Sequence, residues 1–300
     1  MASLAVVAVL LGARTLTAQT TESPLPTNRN VPTAQTAPAP PTKPTAERVR
    51  IDVDGIARLS SLQIVRGTPL ALNRDSLKRL DDQSRDLGPR PVFAQTLQFT
   101  LRSKASVSPY IGFRNFFDGK DISRGGSWAS GRHEFDTLVG VLTKPKRIGP
   151  GVFTLDLSHQ WWNSPSETFC LTPGCTDAMA FTDAQYRLLK NTFGFTAFLK
   201  TNKGNRMSQS YVPYYTFTQR AFSTDFSVTG EAVIVNHKWY GRDGLLAARL
   251  TGEAGRQFGR VRIAGRYLHQ KRLNGDRRLY EGGVASVIVS TRVPVPLSKK

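Results

Sequence analysis

The sequence is poor in the residues that commonly carry catalysis or metal binding. It has two cysteines and four histidines in 300 residues. It also lacks a Gly-rich phosphate loop, a nucleophile elbow, a paired acidic motif and any regular spacing of metal ligands. These absences give no support to an enzyme, and they predict neither a cofactor nor a metal site.

The two cysteines predict a disulfide that closes a small loop. Cys170 and Cys175 are separated by four residues, and Pro173 and Gly174 between them favour a tight turn. Such a pair is readily oxidised in an exported protein. Two free thiols are the alternative. A zinc site is disfavoured, because His159 is the only other potential ligand nearby in sequence and two thiols with one histidine are a poor zinc signature.

The N-terminal region has no apolar run long enough to span a bilayer as a helix. The apolar run over residues 4–11 is short, and small residues with a cleavage-like step at Ala18 follow it. This order predicts a signal peptide over residues 1–19 and therefore export, with a buried N-terminal element as the alternative. Seven prolines among Thr, Ala, Gln and Asn predict a solvated linker over residues 20–45.

Residues 134–162 carry the most regular pattern in the chain, which is two alternating runs joined by a turn containing Pro145 and Gly149. The mainly apolar parity is Phe135, Thr137, Val139, Val141, Thr143, Phe153, Leu155, Leu157, His159 and Trp161. The opposite parity of the second run is polar: Thr154, Asp156, Ser158 and Gln160. Because successive side chains of a strand point to opposite faces, the pattern predicts a β-hairpin with one apolar and one polar face.

The same period of two dominates residues 92–295, in strands longer than the roughly five or six residues typical of soluble sandwiches. We predict an all-β fold, an antiparallel up-and-down meander over residues 92–300 that closes into a barrel of about 10–12 strands. Residues 46–91 are predicted to be a short N-terminal appendage or the first hairpin. Ten strands counted from Val92 put the cysteine loop at the same end as the chain termini, and one further strand before the loop would put it at the opposite end.

These features resemble the outer-membrane β-barrels of Gram-negative bacteria as a class. Aromatic residues lie near inferred strand ends: Trp128, Trp161, Trp162, Tyr214, Tyr215, Trp239, Tyr240 and Tyr280. The resemblance covers residues 92–295 and implies a lipid-facing apolar surface, a polar lumen and aromatic girdles at the membrane interfaces. The alternative is a soluble β-sandwich or lipocalin-like barrel, periplasmic or secreted, whose polar face meets water.

The charge of the chain is strongly positive, with a formal value of +19. In a closed barrel the polar parity would bring five arginines into the lumen, where they would favour small anions: Arg249, Arg260, Arg262, Arg266 and Arg292. In a soluble protein the same residues would form a basic face for an acidic ligand or partner protein. Export and the absence of a recognised binding motif argue against nucleic acid as a partner.

One enzymatic alternative is a lipid hydrolase built on a His and Ser pair. Ser158 and His159 are adjacent on a strand, so their side chains point to opposite faces, and nothing orients the more distant Ser164. We therefore predict a non-enzymatic outer-membrane barrel, a small pore or structural protein with a basic, anion-favouring lumen. Membrane lipid is its expected partner.

Overall fold

The computed structural model describes residues 49–61, 64–65, 68–69, 92–118, 132–164, 175–201, 208–239, 242–274 and 281–297. In these ranges the regular secondary structure is entirely β, and twelve long strands form one sheet. In chain order they are β1 Arg50–Ser60, β2 Val92–Arg102, β3 Val107–Asp118, β4 Arg132–Thr143, β5 Gly151–Ser164, β6 Cys175–Leu188, β7 Asn191–Lys200, β8 Gln209–Ala221, β9 Thr224–Trp239, β10 Arg242–Phe258, β11 Val261–Arg272 and β12 Gly282–Pro296.

The sheet closes on itself. Each strand pairs antiparallel with the next one along the chain, and β12 pairs with β1 from Arg50 opposite Pro296 to Ser60 opposite Ser286. Closure leaves no unpaired edge, which is how a barrel satisfies its backbone groups. The predicted all-β meander of about 10–12 strands is therefore confirmed.

The barrel begins at Arg50, because β1 lies between β12 and β2 and pairs with both. This is the strand that a count from Val92 omits. With β1 included, β5 ends at the end of the barrel opposite to where β1 begins and β12 ends, so a count from Val92 is one strand short and assigns the end of β5 to the wrong end of the barrel. The start of β1 and the end of β12 lie at the same end as the tight connections, which include Leu189-Lys190, Phe222-Ser223 and Gly259-Arg260. We call this the turn end and the opposite one the loop end.

The hairpin β4–β5 shows how the two faces of the wall are divided. Val139 and Leu157 keep 47% and 41% of their surface exposed on the outside, whereas Asp136 and Asp156 are buried inside. The same alternation leaves apolar side chains of other strands exposed on the outer face, such as Ile111, Phe195, Phe217, Val228, Leu250, Ile263 and Val289. An apolar outside and a polar inside are typical of a transmembrane barrel and confirm the predicted arrangement.

Two of the aromatic residues predicted for the membrane girdles lie inside the barrel instead. Trp162 and Tyr214 are buried, while their chain neighbours Trp161 and Tyr215 are exposed on the outer face. Adjacent residues of a strand cannot share a face, so each pair is necessarily divided between lipid and interior.

Several predictions concern residues outside the described ranges. They are the signal peptide over 1–19, the linker over 20–45, the girdle positions Trp128, Tyr240 and Tyr280, and Cys170 of the proposed disulfide. The other cysteine, Cys175, is the first residue of β6.

Candidate functional site

The barrel interior collects the charged side chains of the inward parity. Eight of those that are buried there are Asp52, Asp54, Arg58, Arg114, Asp136, Asp156, Asp183 and Arg249. A charge held away from water is tolerated only when it has partners, so the geometry of these partners decides what the interior can do.

Arg114 on β3 is the centre of the most buried group. Its Nη2 lies 2.9 Å from Oδ2 of Asp136 on β4 and donates a 2.8 Å hydrogen bond to Oε1 of Gln160 on β5. The indole Nε1 of Trp162 donates to the same Gln160 oxygen at 3.0 Å. The guanidinium also lies over the Trp162 ring at 5.9 Å from its centroid. Three neighbouring strands are thereby tied together on the inner face.

Two carboxylates on β5 and β6 form a second group. Asp156 and Asp183 are direct partners in the register of these strands, and both are buried. The hydroxyl of Tyr110 donates to Asp156 at 2.8 Å, and that of Tyr214 donates to Asp183 at 2.9 Å. Each tyrosine reaches its carboxylate from two strands away, one from β3 and the other from β8.

A glycine lies on the strand between each tyrosine and its carboxylate. Tyr110 is the register partner of Gly140 on β4, and Tyr214 is that of Gly194 on β7. A Cβ added at Gly140 would lie 2.6 Å from Cζ of Tyr110 and 2.6 Å from the backbone oxygen of Leu157. The absence of a side chain is therefore what lets the ring lie flat across the strand and bring its hydroxyl to the carboxylate.

We expect Gly140→Ala to lower the free energy of unfolding by about 1–3 kcal/mol, because the added methyl displaces Tyr110 from Asp156. Denaturant unfolding of the barrel in lipid vesicles measures this loss. Gly252→Ala is the matched control, since a Cβ there meets nothing within 4 Å. An equal loss of unfolding free energy in both variants would show that replacing a strand glycine is destabilising in itself, and that the contact of Tyr110 with Asp156 is not the cause.

The structure brings two of the predicted arginines together on one carboxylate. Arg262 and Arg266 of β11 point inward, and Nη2 of each lies within hydrogen-bond distance of Glu253 on β10, at 2.8 and 2.7 Å. Glu253 therefore neutralises one of two positive charges. Arg58 on β1 is buried, and its Nε donates a 3.0 Å hydrogen bond to Oγ of Ser60.

The remaining predicted arginines lie apart from this group. Arg249 on β10 is buried, 3.7 Å from Glu231 and hydrogen-bonded to Gln270. Arg292 on β12 donates to Asp54 at 2.5 Å. Arg260 lies in the turn between β10 and β11 and is exposed, outside the interior, because β10 extends to Phe258 and the reversal uses Gly259-Arg260.

Sequence reasoning missed Arg58 and Arg114, together with the acidic partners. Both arginines lie on the inward parity of their strands, but the sequence leaves residues 46–91 open between an appendage and the first hairpin, and the predicted lumenal arginines come only from residues 249–292. The alternation alone could have indicated them. It could not have indicated Asp136 or Glu253 as partners, because these come from neighbouring strands and depend on the register.

Part of the interior is closely packed. Arg58, Arg114 and Gln160 are almost inaccessible to water. Nearer the loop end, apolar side chains from several strands form a cluster: Trp162, Met179, Phe181, Phe198, Val233, Val235, Leu246 and Ala247. Any passage along the barrel axis must therefore be narrow.

The outer face carries the histidine considered for a hydrolase. His159 packs edge-on against Trp161, with ring centroids 4.5 Å apart, and its register partners are Val139 and Ala180. None of these neighbours is a nucleophile.

Across the described strands and turns, no three His, Cys, Asp or Glu side chains are grouped so as to hold a metal ion. No helix in the described part of the chain is long and apolar enough to cross a membrane.

No protein-family model matches the chain, and no curated protein matches it in sequence. Among solved structures, an outer-membrane channel from Pseudomonas putida F1 is 9% identical, with a TM-score of 0.49 over 85% of this chain and 100% of that one. Outer membrane phospholipase A from Escherichia coli is 8% identical, with a TM-score of 0.46 over 81% and 89%. OccK5 of Pseudomonas aeruginosa is 11% identical, with a TM-score of 0.36 over 83% and 99%.

Two of these solved structures are outer-membrane proteins by name, one a channel and the other a phospholipase. Their low identities and TM-scores leave the class assignment to the strand pairing and burial described above. A closed antiparallel barrel with an apolar outside and a polar inside defines an outer-membrane β-barrel.

Proposed function

We propose that this protein is a non-enzymatic barrel of the outer membrane whose interior forms a narrow passage that favours small anions. The observation that supports this proposal is that two guanidiniums, those of Arg262 and Arg266, share the single carboxylate of Glu253. A confined excess of positive charge raises the local concentration of anions and lowers that of cations.

The proposal includes an asymmetric interior. Arg262 and Arg266 project from β11, and Asp156 projects from β5, six strands away in a barrel of twelve, so the two groups face each other. The carboxylates of Asp156 and Asp183 already accept hydrogen bonds from tyrosine hydroxyls. We therefore assign the preference for anions to the arginine side.

The test is conductance of the full chain in a planar bilayer under a salt gradient. We expect small unitary currents, because the interior is closely packed, and a reversal potential of the sign given by anion preference. Arg266→Gln is expected to move the reversal potential towards zero, since it removes one of the two guanidiniums on Glu253. Arg260→Gln is the control, because it removes the same charge from an exposed turn.

If Arg266→Gln and Arg260→Gln changed the reversal potential equally, the preference for anions could not originate in the barrel interior. Complete absence of current from correctly folded protein would favour a structural barrel instead. The packing around Arg114 and Gln160 supports that second candidate. Folding of each variant is checked by the shift in gel mobility between unheated and heated samples.

A further inference from the structure

Four of the five turns at the turn end expose a large apolar side chain. Ile148, Leu189, Phe222 and Phe258 lie at or next to the reversals between β4 and β5, β6 and β7, β8 and β9, and β10 and β11. Leu189 and Phe222 are 87% and 96% exposed, which is far more than the side chains of the lipid-facing wall. These turns follow one another around one end of the barrel. The fifth turn, residues 103–106, has no large apolar residue within it, and Val107 beside it is only 40% exposed.

The backbone makes two of these exposed residues more unusual. Leu189 has a φ of 54°, Phe222 has 50° and its neighbour Ser223 has 61°. Glycine, asparagine and aspartate are the residues that adopt this left-handed conformation at little cost, and bulky side chains rarely do. Water alone therefore favours neither the conformation nor the exposure of Phe222.

Basic side chains accompany every one of the apolar tips. Together with the tips they form what we call the turn rim: Lys146, Arg147, Ile148, Leu189, Lys190, Arg220, Phe222, Arg256, Phe258 and Arg260. All are exposed. In residues 144–150, 188–191, 220–225 and 256–261, which are all described, the only acidic side chain is Asp225, 3.7 Å from Arg220. The rim is thus strongly positive as well as apolar.

The turn rim is continuous with the lipid-facing wall. Phe193, Phe226 and Val261 are exposed on the outer face within a few residues of the tips on the same hairpins. A side chain that projects from the turn at this level meets the boundary between acyl chains and headgroups. Long Lys and Arg side chains next to it can keep their stems in the apolar layer and their charges at the phosphates.

We infer that the turn rim binds anionic phospholipid headgroups at the leaflet on the turn end, with Ile148, Leu189, Phe222 and Phe258 inserted among the acyl chains. The apolar tips require a partner with an apolar layer, and the basic residues require negative charge. An anionic lipid surface supplies both at the depth that the wall defines. The inference is independent of any passage through the barrel.

The electrostatic half is tested with the full chain folded into vesicles of phosphatidylcholine, with or without phosphatidylglycerol. We expect the anionic lipid to raise the midpoint of thermal unfolding by on the order of 5 °C at low salt, and about 1 M salt to abolish the shift. A variant combining Arg147→Gln, Lys190→Gln, Arg256→Gln and Arg260→Gln is expected to lose the shift. Among single changes, Lys104→Gln in the fifth turn is expected to reduce the lipid-induced shift less than Arg260→Gln does.

The insertion of the apolar tips among the acyl chains is tested by the direction in which one substitution moves the unfolding midpoint. Phe222→Asn relieves the left-handed backbone but removes the tip, so we expect a lower unfolding midpoint in vesicles. Ser223→Asn relieves the same turn and keeps the tip, so no loss is expected. If Phe222→Asn raised the unfolding midpoint above that of the wild type, and by as much as Ser223→Asn does, the Phe222 side chain would lie in water. That result, or an unchanged midpoint of the wild type in phosphatidylglycerol, would overturn the inference and favour an acidic macromolecule as the partner of the rim.

Discussion

Replacing Arg114 by leucine is expected to cost more stability than any other single change proposed for the barrel. The Arg114 and Asp136 side chains are 2% and 1% exposed, so the substitution leaves a carboxylate buried without its guanidinium. Breaking a buried ion pair in this way costs about 3–5 kcal/mol. Loss of the hydrogen bond to Gln160 adds to the effect.

Urea unfolding in vesicles, followed by gel mobility, measures the cost. The double variant Arg114→Leu with Asp136→Leu is expected to recover most of it, because two apolar side chains replace the pair and no charge is left buried. Arg260→Leu, in an exposed turn, controls for the loss of an arginine when the vesicles contain phosphatidylcholine alone and offer it no anionic headgroup. A double variant as unstable as Arg114→Leu alone would indicate that packing, and not the uncompensated charge, causes the loss.

Leu157→Arg is expected to have the next largest effect, and it discriminates between membrane and water outside the wall. Leu157 is exposed on the outer face of β5 among other apolar side chains. In lipid, an arginine near the middle of the wall costs about 2–4 kcal/mol. In a soluble barrel the same exposed position would tolerate the change within roughly 0.5 kcal/mol.

The matched control for this prediction is Ser106→Arg, which places the same side chain in the exposed turn between β2 and β3. It is expected to be neutral in vesicles. The comparison of the two variants by urea unfolding removes any general effect of added charge. A neutral Leu157→Arg would mean that the outer face is not in contact with acyl chains.

The outward and inward sets of residues followed from the alternation, as residues 134–162 show. Val139 and Leu157 lie outside, and Asp136 and Asp156 lie inside, as a period of two requires. The sequence leaves the first strand open between an appendage and the first hairpin, because Gly55 and Ala57 weaken its outward apolar set and a proline-rich segment precedes it. Without β1, neither the pair of strands that closes the barrel nor the end at which each loop lies could be assigned.

The aromatic residues show a limit of a different kind. Proximity to a strand end predicts an interface position for Trp161 and Trp162 together, and likewise for Tyr214 and Tyr215. The pleat divides each pair, and the inward members become donors to Gln160 and Asp183. The rule that divides them was available in the sequence, but the partners that make an inward tryptophan or tyrosine favourable were not.

The sequence by itself determined the strand class, the two faces of the wall and the excess of basic residues, because alternation and composition are local properties of the chain. Only the tertiary structure decided that β1 closes the barrel, that Arg262 and Arg266 share Glu253, and that the apolar tips and basic residues of four turns lie around one end. Each of these depends on which residues lie opposite one another on neighbouring strands. Register and closure are set by the whole sheet at once, so no single segment encodes them.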